Sequence, residues 1–261
     1  MTTPYVSQTQ YGKNELFELQ VARGQIQGHR NVTVFGFNGD VDTTQVTVWP
    51  LPSLITFPAD ALQMTVSSTN ANDTAAGTGA RTVVVQGVDA NYNEVTETVT
   101  LNGQTAVTMS ASLLRVNYAY VATAGSGNSA AGDIYIGTGT VTAGVPATTY
   151  DIIKFDYNVT TTGSYTVPAG YTAYVSQGLF SAGQTTGASP VQGRLLTRGV
   201  DNIRRTAAVT TVNNGVANYV FEYPLAVSEK TTLEATAVGT ANNNSVSSMF
   251  IILLVKNSTG Y

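Results

Sequence analysis

Residues 80–121 read as the strands of one antiparallel meander, β-branched and alternating apolar-polar runs separated by turn residues. Residues 82–87 (TVVVQG) form a β-branched run that turns through Asp89 to Asn93. In residues 94–101, Glu94, Thr96, Thr98 and Thr100 share one face and Val95, Glu97, Val99 and Leu101 the other, the pattern of a half-buried strand. Glu97 places a carboxylate on the apolar face, so either that face is only partly covered or Glu97 reaches its rim. Asn102-Gly103 carries the strongest short hairpin signal, and residues 104–109 are expected to return as the next strand. Residues 114–121 close an antiparallel meander, with Leu114, Val116, Tyr118 and Tyr120 on one face.

The flanking segments differ in pattern. Residues 1–56 are broken by Gly24, Gly28, Gly36 and Gly39 and stopped by Pro50 and Pro52, which predicts an extended arm instead of a compact unit. Within it Phe17, Leu19 and Val21 alternate, as do Val34 against Phe35 and Phe37. An arm this apolar does not fit the composition of a disordered chain and calls for a partner surface. Phe17, Leu19, Val21, Val34, Phe35, Phe37 and Trp49 are therefore its expected assembly contacts. Residues 57–148 read as a first β domain, with soft small-residue loops at 68–79 and 124–132, and 143–147 (AGVPA) as the boundary. Residues 149–261 read as a second β domain, with turns at Pro168-Ala169-Gly170, Asn213-Asn214-Gly215 and residues 241–244. Its last strand contains residues 249–255 (MFIILLV), apolar on both faces and hence central. Met249, Phe250, Ile251, Ile252 and Leu253 are expected to be buried or at an interface. The predicted fold is all-β: an N-terminal arm followed by two antiparallel sandwich or jelly-roll-like domains, with sparse helix.

Composition narrows the function. Charged residues make up 11% of the chain, against about 25% in typical soluble proteins, and the net charge is −4. That leaves no basic footprint for nucleic acid. The absence of cysteine removes disulfides and thiolate chemistry. Residues 249–255 fall short of the roughly 20 needed to span a bilayer, and residues 1–15 show no secretory signal pattern.

The runs ELQVARGQIQGHRNVTVFGFNGDVDTT, ANDTAAGTGARTVVVQGVDANYNEVTETVTLNGQTAV and YVATAGSGNSAAGDIYIGTGTVTAGVPAT resemble virion structural proteins of tailed bacteriophages, of marine and cyanobacterial type. The likeness covers roughly the first 150 residues; the remainder is similar only in style to phage appendage and decoration domains. The resemblance implies a place in the virion without fixing which part, and carries over no catalytic residue.

Candidate chemistry is thin. His29 is the only histidine, too few for a usual zinc site unless carboxylates complete it, and as the one possible base of a Ser-His-Asp triad it sits in an arm that offers no preformed pocket. Residues 38–42 and 70–73 place oxygens near one another but read more simply as turns. Fourteen tyrosines against one tryptophan point to rings in the core with hydroxyls at its rim. The expected function is non-enzymatic: a capsid decoration or cement protein stabilising the head shell. A tail or fibre component, adaptor or receptor-binding, is the alternative, and a virion-associated polysaccharide hydrolase a minor one. No cofactor, nucleic acid or membrane partner is expected. The expected partners are the major capsid protein or other virion proteins and copies of the chain itself, with a trimer favoured.

Overall fold

The computed structural model describes residues 15–184 and 189–257. Residues 1–14, which hold the start of the expected arm and most of the stretch read for a secretory signal, lie outside the described residues. One helix, α1 (Phe17–Ala22), precedes the strands. Here the expected alternation of Phe17, Leu19 and Val21 is replaced by a helical turn, with the amides of Leu19 and Gln20 donating to Leu16 O at 3.1 Å. Glu, Leu, Gln and Ala are good helix formers, and only Val21 and Gln20 are buried.

Among the described residues the strands are β1 (His29–Val41), β2 (Val46–Thr47), β3 (Leu62–Ser68), β4 (Ala80–Val88), β5 (Glu94–Thr100), β6 (Val107–Leu113), β7 (Arg115–Ala124) and β8 (Ile134–Thr142). There follow β9 (Val145–Ile153), β10 (Ser164–Thr166), β11 (Tyr171–Gly183), β12 (Pro190–Arg198), β13 (Arg204–Asn213), β14 (Gly215–Val227), β15 (Thr232–Gly239) and β16 (Asn244–Lys256). They form four small antiparallel sheets: β1-β16-β11-β14, β10-β15-β12-β13 with β2 on β15, β6-β3-β8-β9, and β5-β4-β7. The chain is all-β, and the four sheets read as blades of a propeller-like ring; strand pairing alone does not divide them plainly into two sandwiches.

Side chains gather into two apolar clusters. Met64, Val83, Val85, Val99, Leu113 and Ile134 belong to the first, which is built from β3 to β9. Val34, Val41, Val46 and Val48 join Val175, Leu233, Phe250 and Ile252 in the second. The extended-arm reading therefore fails for the described part of residues 1–56. β1 pairs with β16 of its own chain, from His29 opposite Val255 to Asn38 opposite Val246, and supplies core side chains. Gly36 allows this close fit, since a Cβ there would stand 2.5 Å from Val48 O.

The meander is also corrected. The turn at Asp89 forms as read, its Oδ1 accepting from the amides of Asn91 and Asn93 at 2.8 Å, and β4 pairs with β5 and β7. β6, however, pairs with β3 in another sheet, because the chain crosses between sheets after Asn102-Gly103. Glu97 closes that corner: its two oxygens accept from the amides of Ser110 and Ala111 at 2.8 Å, opposite a break in the β3–β6 ladder. Of the two readings offered by the sequence, the rim position holds. A bulge at Asn117 then shifts β7 by one residue, so Val116, Ala119 and Val121 pack inward and Tyr118 and Tyr120 turn outward.

Two further expectations fall on local geometry. Ala143 (φ 49°) and Gly144 (φ 83°) are a two-residue hairpin turn joining β8 to β9, so residues 143–147 lie inside a unit and mark no boundary. The loops read as soft are pinned by buried Asp73, whose carboxylate accepts from the amides of Ala80 (2.7 Å), Ala131 (2.8 Å) and Gly132 (3.0 Å) and from Ser68 Oγ (2.5 Å). The chain passes from the first cluster to the second through the buried threonines 160–162.

Candidate assembly surface

Strand β16 is central in its sheet, between β1 and β11, and its two faces meet different surroundings. Phe250, Ile252 and Leu254 are buried in the second core. Met249, Ile251 and Leu253 point to the opposite face and are only half covered. Cross-strand register builds that outer face into rows: Phe35, Met249 and Leu179; Thr33, Ile251, Gln177 and Val220; Asn31, Leu253, Tyr174 and Ala226. Phe35 is 44% exposed and Val220 76%. The result is a largely apolar sheet face that is uncovered among the described residues except along β1, where the β5-β4-β7 sheet approaches, an arrangement that marks interaction surfaces.

The surface continues onto β13 and β14. Asn214 (φ 44°) makes the turn that the sequence announces, but the two strands splay into different sheets and form the edge of each. Val209, Val216, Tyr219 and Tyr223 stand out on these edges, Tyr223 at 82% exposure. A small apolar hollow of about 60 Å³ opens between them, lined by Phe180, Leu195, Val209, Tyr219 and Phe221. The ladder from β14 to β11 is interrupted between Val220 and Leu225, where β14 carries four residues against one and lifts Tyr223 away from the sheet. Long apolar edges of this kind are templates for another chain.

The expected contact residues divide accordingly. Phe17, Leu19 and Phe35 are exposed, and half-buried Phe37 packs edge-on to Tyr157 at 6.1 Å. Val21, Val34 and Trp49 are buried within their own chain, Trp49 Nε1 donating to Ser53 O at 2.8 Å, so they are withdrawn as contacts. Of the C-terminal run, Phe250 and Ile252 belong to the core and Met249, Ile251 and Leu253 to the open face. Sequence reading missed Leu179, Tyr174, Val220 and Tyr223. Residues 216–223 (VANYVFEY), where Tyr219, Val220 and Phe221 are consecutive and Tyr223 follows, carried the signal.

A second feature lies where β1 approaches the outer face of the β5-β4-β7 sheet, leaving a cleft of about 530 Å³. Thr96, Gln86 and Tyr118 form one wall as a cross-strand row, and Asn31, Thr33 and Phe35 the other. At its end Arg30 pairs with Glu94 and lies over the Tyr171 ring, 5.4 Å from its centroid. Arg30 also hydrogen-bonds the Tyr165 phenol, whose pKa burial pushes up to about 12.

Other charged groups are structural in their contacts. Buried Glu234 accepts from Thr47 Oγ1 (2.6 Å) and Arg204 Nε (3.1 Å). Arg115 and Arg198 both lie over the Phe57 ring, at 4.5 and 4.9 Å, and burial lowers the Arg115 pKa to about 10. Among the described residues no group of three or more His, Cys, Asp or Glu side chains could hold a metal ion, and no helix is long and apolar enough to cross a membrane. Asn38 and Asn70, in the segments weighed for a cation, accept instead from the amides of Asp40 and Asn72.

No protein-family model and no curated protein matches the chain. Among solved structures, one of infectious bursal disease virus, Gx strain, is similar at 11% identity and a TM-score of 0.23, over 88% of this chain and 71% of that one. The VP2 subviral particle of the same virus is similar at 9% identity and a TM-score of 0.24, over 90% and 74%. At these TM-scores the likeness carries no argument about fold or role.

Proposed function

We propose that the chain is a non-enzymatic structural protein of a bacteriophage particle, a capsid decoration or cement protein in which the two apolar clusters are the cores of two sandwich-like units. The observation that carries the reading is the apolar outer face of β16 and its neighbours, continuous with the splayed β13–β14 edges. It supports a protein whose working state is an assembly with the major capsid protein or with copies of itself, a trimer being favoured. The resemblance of roughly the first 150 residues to tailed-phage virion proteins supports a virion as the setting of that assembly.

The test is Ile251→Asp. Its side chain lies on the open face, so the protein should keep its fold and thermal transition but lose incorporation into particles and self-association by light scattering. Normal incorporation with normal association would overturn the reading. The cleft bearing Phe35 and Tyr118 favours a second reading, a receptor-binding tail or fibre component. Particles lacking the protein separate the two, since lost surface knobs support decoration and lost tail appendages support the alternative.

A further inference from the structure

The cleft between β1 and the β5-β4-β7 sheet has a lining that selects a chemical class of ligand. Its volume, about 530 Å³, lies within the range of small-molecule sites. Of the neutral polar side chains that line it, four carry the argument, Asn31 and Gln86 with amides and Thr33 and Thr96 with hydroxyls. None of the four makes a side-chain hydrogen bond among the described residues. Two partly exposed rings, Phe35 at 44% and Tyr118 at 39%, supply aromatic surface. The Arg30 and Glu94 charges at the end neutralise each other.

Each ligand class meets a different fate there. A phosphate or polyanion finds one cation among the described lining residues, Arg30, which is already paired. A purely apolar ligand would bury four unsatisfied amides and hydroxyls, each costing about 1–3 kcal/mol. A ligand that presents hydroxyls on its edge and C–H groups on its face satisfies both parts of the lining, the hydroxyls against the amides and threonines and the C–H faces against the rings. The walls are also held in place. Asn117 spans the two units with a reciprocal pair of bonds, Nδ2 to Thr166 O at 2.9 Å and Oδ1 from Thr166 N at 2.8 Å, while the Arg30–Glu94 pair ties the far end. The cleft is thus formed before any ligand arrives.

We infer that this cleft is a binding site for a neutral saccharide. The cleft shares Asn31, Thr33 and Phe35 with the β1 edge of the open face, whereas Gln86 and Tyr118 lie outside that face, so their variants separate saccharide binding from the assembly role proposed for it.

Affinity electrophoresis of the full chain through gels containing dextran, mannan or laminarin tests it, with heparin as the charged comparison. At least one neutral polysaccharide should retard the protein, with little sensitivity to salt because no net charge is engaged. Tyr118→Ala and Phe35→Ala should each weaken the retardation about tenfold or more. Gln86→Trp should abolish it by filling the cleft, and Tyr223→Ala, on the remote edge of β14, should leave it unchanged. Circular dichroism melts keep loss of binding distinct from loss of fold, and Phe35 and Tyr118 are exposed enough for both alanine variants to fold. Retardation by none of the three neutral polysaccharides overturns the inference. So does retardation that survives all three cleft variants, or retardation by heparin alone.

Discussion

Asp151 on β9 is a carboxyl group with almost no access to water, 2% exposed. Its Oδ1 accepts from Thr162 Oγ1 at 2.6 Å and from the amide of Ile152 at 2.9 Å, and the Thr160 side chain also bonds to it. It thereby fastens β9 to the threonine segment that passes between the two cores. No cation offsets the burial, which outweighs these bonds and pushes the pKa from 3.8 up to about 7. The folded state therefore holds this proton more tightly than the unfolded chain does. Its contribution is complete below the unfolded value, near pH 4, and is lost as the pH rises through about 7. One pKa unit is worth about 1.4 kcal/mol, so the interval from 3.8 to about 7 amounts to at most about 4 kcal/mol. Asp151→Asn retains the acceptor oxygen and removes the titration. Urea unfolding followed by circular dichroism should find variant and wild type similar near about pH 4 and the variant more stable by about 1–4 kcal/mol near about pH 8. Asp89 and Asp201, whose carboxyl pKa values are lowered, titrate below this window and cancel in the comparison. Stability curves that run parallel from about pH 4 to about pH 8 would refute the uncompensated burial of Asp151.

Three further outcomes are expected. Glu97→Gln replaces one of two accepting oxygens by an amide donor facing the amides of Ser110 and Ala111; a loss of about 1–3 kcal/mol in urea unfolding is expected, and an unchanged midpoint would count against the corner contact. Ile252→Asp puts an unpaired carboxylate at a position with 0% exposure, so the second core should unfold, whereas Ile251→Asp one residue away should melt like wild type; equal melts for the two would show that the face assignment is wrong. Removing residues 1–56 deletes β1, β2 and four core valines, so the truncated chain should lose its cooperative transition instead of remaining folded without an arm.

Much of the fold class was written locally. A β-branched run announced β4 and period-two alternation β5, turn chemistry placed Asp89 to Asn93, Asn214 and Gly170, and the two-sided apolar run at 249–255 identified a central strand. These features depend on side-chain spacing and on residues that accept positive φ, both properties of a few consecutive positions. What the sequence did not determine is which strand each strand pairs with. β5 and β6, β13 and β14, and β15 and β16 each follow one another across a short connection, yet each pair divides between two sheets. A turn signal specifies a reversal, and whether the second strand pairs with the first or crosses to another sheet depends on burying side chains against residues far along the chain. The same limit hid the place of β1, because an apolar strand broken by glycines reads alike whether its partner is a neighbouring subunit or β16. It hid the candidate site as well. Residues 249–255 are apolar throughout, and only the packing of β1, β11 and β14 around them decided that Ile252 is enclosed and Ile251 left open.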